Sequence, residues 1–126
     1  MNFDLDAINQ KYGQNPQQLI AWALGLGKPA ICTTNFRPYE AVMLHMLTQV
    51  KPDIPVIWMD SGYNTEATYR FADEVTKRLN LNLKIYLPRR SRAHREALEG
   101  AVPALDDPRH AAFTEEVKLE PFARAL

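Results

Sequence analysis

The sequence predicts an α/β protein: a three-layer fold with one parallel sheet and helices on both faces. Three observations predict it. Short apolar runs alternate with helical stretches in the order ααβαβαβ, followed by a polar segment and a terminal helix. The run "IPVIWM", from Ile54 to Met59, is apolar at every position, which suits a central parallel strand buried on both faces. The strand ends Thr33-Thr34-Asn35, Asp60-Ser61-Gly62 and Pro88-Arg89-Arg90 are all polar, and such sheets take ligands outside the carboxyl ends of their strands.

Each element has its own signal. Asp4 to Tyr12 reads as a short helix with Leu5, Ile8 and Tyr12 on one face, stopped by Gly13. Asn15-Pro16 starts a second helix as cap and first-turn proline, and Gly25 and Gly27 end it. "PAICTT" is the first strand. Pro38 opens a helix to about Val50, with Val42, Leu44, Met46 and Leu47 among its apolar residues. The central strand follows, then a loop at Ser61-Gly62-Tyr63-Asn64. Thr65 to Leu79 is a helix with Tyr69, Phe71, Ala72, Val75 and Leu79 spaced for burial. "LNLKIYL" alternates as a third strand, which Pro88 ends. Pro121 sits in the first turn of the last helix, with Glu120 near its cap.

Composition bounds the function. A chain of 126 residues fits one domain, residues 1–126. With 46% hydrophobic and 24% charged residues it should pack a core rather than stay disordered. Lys+Arg and Asp+Glu are both 15, so neither nucleic acid nor a membrane is an expected partner. "MNFDLDAINQ" lacks the basic and apolar regions of a secretory leader, so a cytoplasmic protein is expected. The single cysteine, Cys32, rules out an internal disulfide and a thiolate cluster, and the histidines lack ligand spacing. No metal and no cofactor are expected. The chain stops in "EPFARAL", so it ends on a bare helix or is part of a longer protein.

Four clusters carry candidate chemistry. Thr33-Thr34-Asn35-Phe36 lies where a strand turns into a helix, whose free N–H groups and dipole suit a phosphate or sulfate. The plain alternative is a helix cap, at about even odds on layout alone. At Asp60-Ser61-Gly62, Gly62 lets a ligand approach the backbone and Asp60 is placed to accept from a ribose. The plain alternative, an Asp bonding its own turn, is the stronger on this cluster alone. Arg89 and Arg90 head the only dense basic cluster and suit phosphates, against a solvated helix start. Lys118-Leu119-Glu120-Pro121 means little by composition. Cys32, in a buried strand, reads as a small apolar residue.

Together, "TTNFRPYEAVMLH", "PDIPVIWMDSGYNTEATYRFADEVTKRLNLNLKIY" and "VKLEPFARAL" resemble the phosphoadenylyl-sulfate and adenylyl-sulfate reductases, of the adenine nucleotide alpha-hydrolase-like group. The resemblance runs from about Pro29 onward. It implies a Rossmann-like sheet that binds an adenosine phosphosulfate-type nucleotide. Thr33, Thr34, Asn35, Phe36 and Arg37 match the family's modified phosphate loop. Met59, Asp60, Ser61 and Gly62 match the motif that contacts adenine and ribose, and Lys118 matches the lysine by the sulfate end. In the family a C-terminal cysteine thiolate attacks the sulfur, and thioredoxin or glutaredoxin then releases sulfite. This chain stops before that cysteine and before the family's arginine-rich loop, and it lacks the cysteine pairs of the iron–sulfur branch.

Two loop residues depart from the family pattern. Arg37 stands where a glycine is usual and does not easily take positive φ. Glu40 stands where a small or apolar residue is usual, and repulsion of a phosphate 4–6 Å away costs on the order of 1–4 kcal/mol. Weakened or altered anion binding is expected. The sequence therefore points to the nucleotide-binding part of a sulfonucleotide reductase of sulfate assimilation. Its rivals are an adenine-nucleotide or anion-binding module without reductase activity, and a divergent paralogue acting through protein contacts, as a homodimer.

Overall fold

The computed structural model describes residues 2–126. Its sheet has three strands, β1 (Cys32–Thr33), β2 (Pro55–Met59) and β3 (Asn82–Tyr86), all parallel, in the order β1-β2-β3. Val56 pairs with Cys32 on one side and with Leu83 on the other. β2 is therefore the central strand, and Val56, Ile57 and Trp58 are buried, as the continuous apolar run requires. β1 is shorter than the expected "PAICTT", with only Cys32 and Thr33 paired to β2.

Helices α3 (Glu40–Val50) and α4 (Glu66–Leu79) connect the strands. Right-handed crossovers between neighbouring parallel strands put both on one face. The main core lies beneath them, with Leu44 from α3, Ala72 and Val75 from α4, and Cys32, Val56 and Trp58 from the sheet. The α4 pattern is as expected: Phe71 and Leu79 also pack on this core. On α3 the buried side runs through Leu44 and Leu47, while Val42 is 60% exposed. Thr65 caps α4 through its side chain, and Asn80 ends it in the left-handed region at φ 51°.

At the N-terminus, α1 (Leu5–Tyr12) and α2 (Pro16–Leu24) begin on side-chain caps from Asp4 and Asn15. Trp22 of α2 packs against Phe3 and Tyr12. Of the expected apolar face of α1, Ile8 and Tyr12 are half-buried and Leu5 is exposed, since α1 packs mainly on α2.

The polar segment holds α5 (Arg92–Glu99), capped by Ser91. The terminal helix begins earlier than expected. Helical turns run from α6 (His110–Thr114) through a π-helical turn at Glu115–Leu119 into α7 (Glu120–Ala125). Pro121 thus sits inside a continuous helical stretch. A proline there has no N–H to give and its ring crowds the carbonyl four residues back. The wider turn before it relieves that conflict. α7 packs on β2 and β3, and Val117 and Pro121 are buried there.

Candidate functional site

A cleft of about 230 Å³ opens at the carboxyl ends of β1 and β2. The loop after β1 supplies Asn35, Phe36, Arg37 and Pro38. The end of β2 supplies Met59 and Ser61, and the entry to α4 supplies Asn64 and Thr68. Lys118, on the π-helical turn, completes the wall. No carboxylate lines the cleft, and among the described residues neither Arg37 nor Lys118 is in an ion pair. A polar cleft with two free cations and several amide and hydroxyl groups is suited to an anionic, hydrogen-bonding ligand.

The loop after β1 is held by a bond set that the sequence did not reveal. Thr34 is buried, and its N–H donates to the Ile57 carbonyl at 3.0 Å, extending the β1–β2 ladder. Its hydroxyl accepts from the Phe36 N–H at 3.0 Å and donates to Glu40 Oε2 at 3.2 Å. The same oxygen accepts from the N–H groups of Asn35 and Arg37, both at 2.9 Å. Glu40 therefore caps the loop that precedes its own helix.

The positive φ expected to trouble Arg37 falls instead on Phe36, at 55°. For a bulky residue this is a strained conformation. It persists because the ring is buried and meets Trp58 edge-on with centroids 4.9 Å apart.

In the Asp60-Ser61-Gly62 loop, Asp60 Oδ1 accepts from the Gly62 N–H at 2.9 Å, from the Asn64 amide at 3.0 Å and from the Tyr69 hydroxyl at 2.7 Å. Burial pushes the Tyr69 hydroxyl pKa up, and the hydrogen bond and charge of Asp60 add to it. Asp60 thus shapes the loop from behind, and Ser61 is the member that faces the cleft. Gly62 has φ 83°, a value that favours glycine, but it does not line the cleft.

Arg89 and Arg90, expected at the ligand edge, are away from the cleft wall. Arg89 pairs with Glu120 at 3.0 Å. Arg90 grips both oxygens of Glu116, at 2.6 and 2.8 Å, and also pairs with Glu99. These bonds raise the Arg90 pKa and hold Glu116 below the usual glutamate range, the hydrogen bond from Arg90 being the main cause. Arg95, nearly fully buried, stacks over Phe113 at 4.5 Å and lies 3.7 Å from Glu116. The basic cluster therefore anchors the π-helical turn, and through it the position of Lys118, two residues after Glu116.

Of the sequence candidates, Asn35, Phe36, Arg37, Met59, Ser61 and Lys118 meet at one cleft. Thr33, Thr34, Asp60, Gly62, Arg89 and Arg90 do not line it. Asn64 and Thr68 were missed. Asn64 precedes the cap of α4 and Thr68 lies in its first turn, so both sit where the strand-end loop enters the helix.

Curated relatives share this chain's pattern. It is 46% identical over 125 residues to a phosphoadenosine 5′-phosphosulfate reductase of Xanthomonas euvesicatoria, covering 98% of this chain and 52% of that protein. It is 45% identical to one from a Synechococcus species, covering 97% of this chain and 54% of that protein. The chain thus spans about half the length of these relatives. The fold is similar to that of a solved phosphoadenylyl-sulfate reductase from Candida auris, with a TM-score of 0.78 at 24% identity, over 99% of this chain and 63% of that one. The model of the phosphoadenosine phosphosulfate reductase domain matches residues 30–126, and the chain belongs to that family.

Proposed function

We propose that residues 1–126 form one nucleotide-binding domain of a sulfonucleotide reductase, which holds an adenosine phosphosulfate-type nucleotide with its anionic end against Arg37 and Lys118. The observation that carries this reading is the cleft where both cations stand unpaired and no carboxylate intrudes. Arg37 offers a planar fork and Lys118 a mobile point charge, and the two suit different oxygens of one ligand. Asn35, Ser61, Asn64 and Thr68 supply neutral hydrogen bonds for the nucleoside.

Reduction needs a thiolate, and this stretch has one cysteine. Burial pushes the Cys32 thiol up, and the charge of Glu40 adds to the shift. These residues therefore bind and position. The thiol-dependent reduction of the activated sulfate to sulfite, with thioredoxin or glutaredoxin as partner, belongs to the complete cytoplasmic enzyme acting as a homodimer. The state of Cys32 also favours a second reading, a nucleotide- or anion-binding module without reductase activity.

Calorimetry with adenosine 3′,5′-bisphosphate tests the shared premise. Binding is expected, and Lys118→Ala should weaken it about tenfold, the loss of one charge-assisted contact. No heat up to millimolar ligand removes both readings.

A further inference from the structure

We propose that Glu40 is a resident anion that closes the amide cradle of the loop after β1, so that a ligand's anionic end is held by Arg37 and Lys118 instead. The loop has three N–H groups in the region where a bound phosphate would be expected. Asn35 and Arg37 donate theirs to one oxygen, Glu40 Oε2, at 2.9 Å each, and the Thr34 hydroxyl joins them at 3.2 Å. The third, from Phe36, is taken by Thr34 Oγ1 at 3.0 Å. Several donors converging on one anionic oxygen is how such a concavity holds a phosphate. Here the carboxylate does it from within the chain.

Glu40 is tethered three residues from Arg37, so it faces the amides at a high effective concentration. An external phosphate must displace it and then sit beside its charge. The cations are placed differently. Arg37 gives its N–H to Glu40 and also lines the cleft, and Lys118 lines it from the π-helical turn. Occupation of the amides stands on these bonds alone. Only the assignment of the ligand's anion to Arg37 and Lys118 rests on the proposed function.

The test is an amide-resolved NMR titration of the 126-residue chain with inorganic phosphate and, separately, adenosine 3′,5′-bisphosphate. The native chain, Glu40→Gln and Glu40→Ala are compared. In the native chain inorganic phosphate should leave the Asn35 backbone amide unmoved, while the bisphosphate moves the amides of Ser61 and Thr68. In both variants phosphate should shift the Asn35 amide and bind about tenfold more tightly. Thermal melting follows folding, and Glu40→Gln keeps an acceptor for the two amides where Glu40→Ala leaves none. The proposal is overturned if phosphate moves the Asn35 amide of the native chain as strongly as in Glu40→Gln. It is equally overturned if folded variants gain no affinity for phosphate. A bisphosphate that moves no amide of the native chain, with phosphate behaving as expected in the variants, sustains the closed cradle and defeats the proposed function.

Discussion

Phe36 shows how a single residue can carry two opposed energies. Its left-handed backbone costs roughly 1–2 kcal/mol for a residue with a Cβ. Its buried ring, edge-on to Trp58, returns more than that. Phe36→Ala should therefore destabilise the fold by about 3–5 kcal/mol, since it removes the ring and keeps the strain. Phe36→Gly removes both, and should be the milder change by about 1 kcal/mol. That order reverses the usual ranking of alanine above glycine, and urea unfolding of the two variants measures it. Equal or inverted midpoints would mean that the positive φ is not held in solution.

Among the elements, the π-helical turn links the basic cluster to the cleft. Glu116 is gripped by Arg90 and lies beside the buried Arg95, and Lys118 follows on the same turn. Its carboxyl titrates near the ordinary 4.5 in the unfolded chain and lower in the folded one, chiefly through the Arg90 hydrogen bond. The unfolded chain therefore binds more protons between the two values. The stabilisation is complete above 4.5 and fades as the pH falls through the folded value. Glu116→Gln should be less stable than the native chain at pH 7, and the gap should narrow toward pH 3, as thermal melting across that range would record. A gap that stays constant with pH would show that the ion pairs contribute nothing. Asp107 behaves in the same sense, held at about 2 by hydrogen bonds from Arg109, outside the turn.

At the scale of the whole molecule, the sheet has two open edges. β1 and β3 each pair with β2 alone. Ile85 in β3 and Leu87 just after it are both about half exposed, and β3 presents an unpaired backbone side. On the helical face, a groove of about 570 Å³ between α3 and α4 is lined by Val42, Phe71, Val75 and Leu79. Apolar surface and a bare strand edge favour association. The isolated 126-residue chain should thus show a concentration-dependent mass by light scattering. A constant monomer mass at high concentration would count against a homodimer built by these residues. Among the described residues, no helix is long and apolar enough to cross a membrane.

The sequence by itself determined the α/β class, the central strand, the helix cap at Asn15, and the family. These depend on local periodicity, on capping chemistry and on contiguous motifs, all of which are written along the chain. It also brought Asn35, Phe36, Arg37, Met59, Ser61 and Lys118 into one candidate site, because strand ends and family motifs mark them. Only the tertiary structure decided which polar groups stay free for a ligand. Arg89 and Arg90 read along the chain as phosphate binders, and the fold pairs them with Glu120 and Glu116, Glu116 being 26 residues beyond Arg90. Glu40 looked like a charge that would repel a phosphate, and the fold turned it onto the amides that a phosphate would use. A charge along the chain has a sign but no partner. Partners are chosen by packing, and here packing neutralised the conspicuous arginine pair and left Arg37 and Lys118 open at the cleft.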